Sequence, residues 1–202
     1  FAWWRAYVCD DAYITFRQVR NCLDGFGPVF NPGERVQSFT HPLWFMLLLV
    51  GGTVFDLHAF SVCAGIAMAV AFFIAAGHLF RHAPGRTACL LAMAAILLTS
   101  PSWVEFLTSG LETSLNALLI LLLFGSLLSG APTPLARTGL PLVLSALLLL
   151  NRLDNALLCA PVLFCLIRRA LHCGRSGWPG LVAAAALFLG WYGFATVYYG
   201  TP

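Results

Sequence analysis

Two adjacent carboxylates, Asp10 and Asp11, open the most charged stretch of the sequence, which also carries Arg17, Arg20 and Asp24. Charged residues make up only 9% of the chain, so this concentration is unusual for it. Neighbouring carboxylates raise one another's pKa, and such a group can serve as a general base or a metal ligand. Helix capping is the simpler alternative, although one acid is enough for a cap. The second acid favours a chemical role for the pair.

Apolar residues recur at helical spacing in this stretch, which predicts a short amphipathic helix from Asp10 to Asp24. The apolar positions are Ala12, Phe16, Val19 and Leu23. Asp10 or Asp11 is placed to cap the N-terminus of this helix, and Gly25 is placed to end it. A helix of this kind lies along a membrane surface with its apolar side down. The sequence Asn-Pro-Gly-Glu at 31–34 then predicts a type II turn.

The composition places the chain in a lipid bilayer. Hydrophobic residues make up 60% of it and its mean hydropathy is +0.85, against roughly 45 to 50% apolar residues in a soluble domain. The net charge of +3 is too small and too scattered to indicate a nucleic-acid partner. The seven cysteines lack the spacing of a zinc or redox site and are interpreted as small hydrophobes. A disulfide between Cys9 and Cys22 on an oxidising face is the alternative.

Six apolar runs predict membrane-spanning helices, since a span needs about 20 apolar residues. They are Ala59 to Phe80, Ala88 to Val104, Leu111 to Leu128, Leu140 to Leu150, Ala156 to Ile167 and Leu181 to Tyr199. The run from Pro42 to Phe55 is shorter and predicts an interfacial or re-entrant helix. Alternate loops carry Arg81, Arg86, Arg137, Arg168, Arg169 and Arg175, and the positive-inside rule makes those loops cytoplasmic. If the short run does not cross, Asp10 and Asp11 lie on the outer face.

Three other places in the chain offer polar side chains that could complete a site. Glu112 follows Ser109 by three residues, so a capping box is its structural alternative. Arg152 and Asp154 interrupt two short apolar runs, where charges are costly and turn toward a cavity or toward each other. His41 precedes a proline at the entry to the membrane, where a lone histidine is more often a hydrogen-bonded interface residue than a ligand.

Recognisable motifs are distributed along the chain: DDAYITFR (10–17), NCLDGFGPVFNPGERV (21–36), Thr-His-Pro-Leu-Trp (40–44), TSGLETSLNALL (108–119), NRLDN (151–155) and YYGTP (198–202). Together they resemble the GT-C superfamily of membrane glycosyltransferases, and within it most resemble the terminal arabinofuranosyltransferases. The resemblance covers nearly the whole chain, whereas the Asp-Asp pair alone would be weak. It implies an all-α, polytopic transmembrane helical bundle of GT-C type, with an extracytoplasmic first loop that contains the short surface helix.

The resemblance also implies a polyprenyl-phosphate sugar donor, transfer with inversion, and an acid of the pair Asp10 and Asp11 as catalytic base, with Asp10 preferred. This carboxylate would take the proton of an acceptor hydroxyl as that oxygen attacks the anomeric carbon. The equivalent of Glu112 lines the active-site cavity in the family, so Glu112 is expected to orient the acceptor or the catalytic acid. In the functional interpretation, Arg152 clamps the donor phosphate, which suits its planar fork of donors, beside Asp154.

The remaining substrate-binding candidates are Arg17, Arg20 and His41. The two arginines could reach lipid or donor phosphates, with solvated interfacial charges as an equal alternative. His41 stands where relatives more often have a small polar residue, and Leu153 stands where they often have proline. No metal ligand is assigned, and a divalent cation is left open as a cofactor.

Together with the composition, the resemblance thus implies a multi-pass glycosyltransferase of the bacterial inner membrane, with arabinofuranose as the first candidate sugar and a glycan or glycoconjugate acceptor on the periplasmic or extracellular side. Its partners are the donor, the acceptor and membrane lipids, without nucleic acid. One domain over 1–202 is expected, truncated at both ends and inactive alone, with a catalytic loop at 5–41 and membrane helices at 42–202. A transporter or flippase that uses the aspartates as a proton relay is the alternative, although transporters place ionisable groups nearer the midplane. A structural membrane scaffold is a second alternative.

Overall fold

The structure, a computed structural model, describes residues 7–128, 133, 135–172 and 178–200. These residues form nine α-helices and no strand. The helices are α1 (Asp10–Leu23), α2 (Pro42–Gly52), α3 (Leu57–Leu79), α4 (Arg86–Thr99), α5 (Pro101–Thr108), α6 (Thr113–Leu128), α7 (Leu140–Asn151), α8 (Ala156–His172) and α9 (Trp178–Tyr199). The predicted loop arginine Arg175 and the last two residues of the YYGTP motif lie outside the described residues.

Two helices, α3 and α9, are long and apolar enough to cross a membrane. The consecutive helices α4 and α5 make a third candidate if they form one broken span. The helices α2 and α6 and the segment Arg137–Asn151 are also apolar, but they are shorter. The prediction of an all-α transmembrane bundle is therefore confirmed.

The predicted span from Ala88 to Val104 is interrupted in the structure. α4 ends at Thr99 and α5 begins at Pro101, with a bend of 76° between the two helices. A proline at the first helical position has no N–H to donate, and it disfavours a helical conformation in the residue before it. That residue, Ser100, caps α5 instead, because its hydroxyl accepts a hydrogen bond of 3.4 Å from the Trp103 N–H.

After this break, α5 runs back along the side of α3. The Trp103 ring near the start of α5 contacts Phe72 of α3, with ring centroids 5.6 Å apart. Near the end of α5, the carbonyl of Leu107 approaches Gly65 so closely that a Cβ there would collide with it. Because Gly65 precedes Phe72 in α3, α5 returns the chain toward the N-terminal end of α3.

α2 begins and ends beside α1. Its 11 residues extend about 16 Å, roughly half the thickness of the hydrocarbon core. Near the start of α2, the Trp44 indole donates a hydrogen bond of 2.9 Å to the carbonyl of Gly110, which packs under Ala12 of α1. At the end of α2, Gly52 faces the Leu23 side chain of α1. α2 is thus too short to cross, and Trp44 and Gly52 both lie beside the α1 region, as is expected of an interfacial or re-entrant helix.

The chain folds into two compact units. The first contains the residues up to Phe39 together with Trp44–Leu121, and the second contains Thr40–Leu43 and the chain from Leu122 onward. In the second unit, α7 packs against α8 and α9. The apolar core of this unit is formed by Leu142, Ala146, Leu166, Ala170 and Ala184. The division of the chain into a catalytic loop and a membrane part of one domain stays a prediction.

Candidate functional site

Asp10 and Asp11 lie in the first turn of α1, and neither of them caps it. The N-cap is Cys9, which has an extended backbone and makes no side-chain capping hydrogen bond. The expectation that an aspartate caps the helix is therefore wrong, because the helical conformation already includes Asp10. Both aspartates are exposed and make no hydrogen bond or ion pair through their side chains with the residues that the structure describes. The positive end of the helix dipole favours acidic side chains at this position.

The first turn of α1 rests on a turn between α5 and α6. The Cys9 N–H donates a hydrogen bond of 3.0 Å to the carbonyl of Ser109. Gly110 has a left-handed φ of +80°, and a Cβ added there would stand 3.0 Å from the Cβ of Ala12. The fully buried Trp44 holds the same turn from α2. The position of the two aspartates thus depends on a turn that is distant in sequence.

Glu112 follows this turn and is buried, with 3% of its surface exposed. α6 begins at Thr113, and the Glu112 carbonyl accepts a hydrogen bond of 2.9 Å from the Asn116 N–H. The predicted capping box is wrong, because the Ser109 hydroxyl accepts its hydrogen bond from the Leu111 N–H before the helix begins. The structure therefore places a buried carboxylate two residues after the turn that supports α1.

The two aspartates project from different sides of α1. Asp10 is in line with Tyr13 and Arg17 on an exposed stripe of the helix, at the spacing that brings side chains onto one face. Asp11 is in line with Gln18, which is fully buried. Neither amide atom of Gln18 has a hydrogen-bond partner in the described part of the chain. Asp10 is consequently the acid that continues the exposed stripe.

A cleft of about 490 Å³ lies between α1 and the start of α3. It is lined by Tyr13, Phe16, Arg17, Arg20, Asn21, Asp24, Asp56, Leu57 and His58. Tyr13 Oη and His58 Nδ1 are 3.1 Å apart and share a hydrogen bond between the two helices. Asp56 caps α3, accepting a hydrogen bond of 3.0 Å from the Ala59 N–H. The cleft thus contains both predicted substrate-binding arginines of α1. They lie about two and three helical turns beyond Asp10.

The two arginines of the cleft have different surroundings. Arg17 donates a hydrogen bond of 3.2 Å to the Asn31 side chain, and its guanidinium carbon lies 4.3 Å from the centroid of the Phe30 ring. Arg20 is exposed and makes no side-chain hydrogen bond or ion pair within the described ranges. Arg17 therefore holds the following loop, whereas the guanidinium of Arg20 is open to a ligand.

The loop after α1 is fastened to the helix at several points. The Asn21 side-chain amide donates to two carbonyls of this loop, at 2.8 and 3.0 Å. The Glu34 N–H donates a hydrogen bond of 3.1 Å to the Asn31 carbonyl, and Gly33 has a φ of +92°, as the third position of a type II turn requires. The predicted turn is confirmed, and Asn31 connects it to Arg17.

In the second unit, Arg152 pairs with Asp154. Arg152 Nε lies 3.1 Å from both carboxylate oxygens of Asp154, and Nη2 lies 2.8 Å from Oδ2. The hydrogen bond with Arg152 is the main reason that the pKa of Asp154 is lowered. The side chains are 46% and 61% exposed, so the pair contributes at most about 1 kcal/mol. The predicted structural pairing is formed, and a contact of Arg152 with phosphate stays a prediction. His41 also belongs to this unit and is buried.

The cysteines that flank α1 do not form the disulfide considered from the sequence. Cys9 and Cys22 are free thiols, and about 20 Å of helix separates them, far beyond the reach of a disulfide. Burial raises the pKa of the Cys22 thiol. Among the residues that the structure describes, no group of three or more His, Cys, Asp or Glu side chains could hold a metal ion.

Five polar lining residues of the cleft were not among the predicted site residues: Tyr13, Asn21, Asp24, Asp56 and His58. The first three follow Asp10 at helical spacing along α1 and its C-cap, and that spacing would have found them. Asp56 and His58 come from the start of α3, and no local pattern connects them with α1.

No family model and no solved structure gives a significant match to the chain. Curated relatives do match it. The terminal β-(1→2)-arabinofuranosyltransferase of Mycobacterium tuberculosis is 37% identical over 123 residues, covering 56% of this chain and 20% of that protein. The terminal β-(1→2)-arabinofuranosyltransferase of Corynebacterium glutamicum is 33% identical over 156 residues, covering 70% of this chain and 22% of that protein.

The chain therefore spans about one fifth of the length of these relatives. The matches confirm the predicted resemblance to the terminal arabinofuranosyltransferases over 56 to 70% of the chain. Over the part that they cover, the chain is a relative of the terminal arabinofuranosyltransferases.

Proposed function

We propose that the chain is part of an integral membrane glycosyltransferase, which moves arabinofuranose from a polyprenyl-phosphate donor to an extracytoplasmic glycan or glycoconjugate with inversion. The activity named for its relatives supports the reaction class. The single observation that carries the proposal is the exposed carboxylate of Asp10, which has no side-chain partner among the described residues. A general base must be free in this way to reach the proton that it takes.

In the proposed step, the Asp10 carboxylate takes the proton of an acceptor hydroxyl while that oxygen bonds to the anomeric carbon of the donor. The bond from this carbon to the phosphate oxygen breaks, and polyprenyl phosphate leaves with the electron pair. One displacement inverts the anomeric centre, so no glycosyl-enzyme intermediate is needed. Asp10 is preferred over Asp11 because it shares the exposed stripe of α1 with the cleft, whereas Asp11 is in line with the buried Gln18.

A lipid-linked donor requires a site at the edge of the bilayer. α1 is amphipathic and lies beside the start of the span α3, which suits a helix at a membrane surface. The arginines in alternate loops support an extracytoplasmic position for this end of α3.

Three substrate contacts are proposed in addition to the base. Arg152 binds the donor phosphate, since its exposed pair with Asp154 is weak enough for a phosphate to displace the carboxylate. Glu112 and His41 contact the substrates from their buried positions.

Replacement of Asp10 by asparagine in the full-length protein tests the proposed base. Asp10→Asn should lower kcat by roughly 100-fold or more, the usual contribution of a general base, with small changes in both KM values. Asp11→Asn should lower it less. Glu105→Gln, the same kind of change on α5, should leave transfer intact. Transfer by Asp10→Asn at the wild-type rate would remove Asp10 from the mechanism, and proton-coupled movement of a lipid-linked substrate without transfer would support the transporter alternative.

A further inference from the structure

We propose that the cleft between α1 and α3 binds the neutral sugars of the acceptor chain, and that it does not bind the phosphate of the donor. The inference rests on the proposed glycosyltransferase function and assigns a substrate to one part of its site. It also changes the role expected for Arg20, which was predicted to contact a phosphate.

The charges of the cleft balance, so its lining does not favour an anion. Arg17 and Arg20 contribute two positive charges to the lining, and Asp24 and Asp56 contribute two negative charges. Arg17 is already engaged by Asn31. A phosphate beside Arg20 would therefore also meet two carboxylates, whose repulsion offsets the attraction of the guanidinium groups. A neutral ligand meets no such repulsion.

The hydrogen-bonding groups of the cleft match a polyhydroxylated ligand. Arg20 can only donate hydrogen bonds, ionised Asp24 and Asp56 can only accept them, and the Tyr13 hydroxyl can do both. Neither Arg20 nor Asp24 makes a side-chain hydrogen bond with a described residue. A sugar hydroxyl both donates and accepts, so adjacent hydroxyls of one ring can satisfy a carboxylate and a guanidinium together.

A second compartment of about 380 Å³ adjoins the cleft and shares Arg20, Asp24, Asp56 and Leu57 with it. It adds the ring of Phe55, which is 61% exposed and stacked on Phe60. Such a ring can cover the apolar face of a sugar while the polar groups bind its hydroxyls. The first compartment alone is within the roughly 300 to 1,000 Å³ of typical ligand sites, so the two together can hold more than one sugar residue.

The cleft is aligned with the proposed base. Tyr13 lies about 4.5 Å beyond Asp10 along the axis of α1, and Asp24 lies about 21 Å beyond it. An acceptor chain that occupies the cleft along α1 would thus bring its terminal hydroxyl toward Asp10. Three lining residues are held in place before a ligand binds, because Tyr13 is hydrogen-bonded to His58 and Asp56 caps α3. Binding then requires little ordering of the protein.

Two substitutions of opposite charge separate a neutral ligand from a phosphate. In the full-length protein, Arg20→Gln and Asp24→Asn should each raise the KM for a neutral arabinofuranosyl trisaccharide acceptor by roughly tenfold, the effect of one charge-assisted hydrogen bond. Both should leave the donor KM unchanged. If the cleft instead binds the donor phosphate, Arg20→Gln should raise the donor KM and Asp24→Asn should lower it, and that pattern would overturn the proposal.

Measuring the affinity for the trisaccharide directly makes this test independent of whether Asp10 is the catalytic base. The trisaccharide should bind the Asp10→Asn protein as tightly as wild type, with an affinity that does not depend on ionic strength, and Phe55→Leu should weaken it. Retained trisaccharide affinity in all three cleft variants would refute the acceptor cleft even if Asp10 proves essential. Conversely, full activity of Asp10→Asn with weakened acceptor binding in the cleft variants would refute the base and leave the cleft assignment in place.

Discussion

Substitution of Gly110 by alanine tests whether the turn beneath α1 positions Asp10. Gly110 has a φ of +80°, and its new Cβ would stand 3.0 Å from both the Ala12 Cβ and Val8 Cγ1. Contacts this short require the first turn of α1 to move by a few tenths of an ångström. A misplacement of about 1 Å can lower a rate by about 100-fold, so this smaller shift should lower kcat by roughly 3- to 10-fold.

Gly25→Ala is the matched control for this substitution. Gly25 has a similar φ of +87°, but an added Cβ meets no atom within 4 Å. Both variants should lose about 1 to 2 kcal/mol from the left-handed conformation, and overpacking should cost Gly110→Ala about 1 to 3 kcal/mol more. Thermal unfolding of the detergent-solubilised full-length protein and initial-rate assays measure the two effects. Equal kcat and equal stability in both variants would refute the role of the turn.

Three further substitutions probe interactions that the structure defines. Trp44→Phe removes the donor to the buried Gly110 carbonyl and should lower stability by about 1 to 3 kcal/mol in thermal unfolding. Gln18→Met should keep or raise stability, because it removes a buried amide without partners in the described part of the chain; a clear loss would show that this amide is satisfied in the full-length protein. Because the pKa of Asp154 is lowered, its pair with Arg152 stabilises the fold above the unfolded pKa of about 3.9 and is lost as pH falls through the folded value. Asp154→Asn should therefore cost at most about 1 kcal/mol at pH 7 and nothing in strong acid, as pH-dependent unfolding would measure.

The surface helix and the long spans could be predicted because a local pattern determines them. The period of apolar residues fixed α1 to within one residue, and continuous apolar sequence placed α3 and α9. The break at Pro101 was missed because hydrophobicity alone does not register that proline lacks an N–H, although the Ser-Pro pair at 100–101 carries that signal. The cap of α1 also differs from the prediction, since Asp10 is already helical and Cys9 is the N-cap.

The cleft could not be predicted, since it depends on contacts between distant parts of the chain. Its walls combine α1 with Asp56 and His58, which are distant from α1 in the sequence. The hydrogen bond from Arg17 to Asn31 could not be predicted from the sequence either. An exposed arginine on a helix has the same local pattern whether it binds a loop or a substrate.

The side of the membrane on which α1 lies is the claim on which the proposed chemistry depends most directly. A cysteine introduced at the exposed Val36, in the loop after α1, can be compared with one at Ala83, in the predicted cytoplasmic loop before α4. Both are placed in full-length protein whose native cysteines have been replaced, and intact cells are treated with a membrane-impermeant maleimide. The proposed topology predicts labelling of Val36→Cys in intact cells and of Ala83→Cys only after permeabilisation. The reverse pattern would place Asp10 in the cytoplasm and contradict the account.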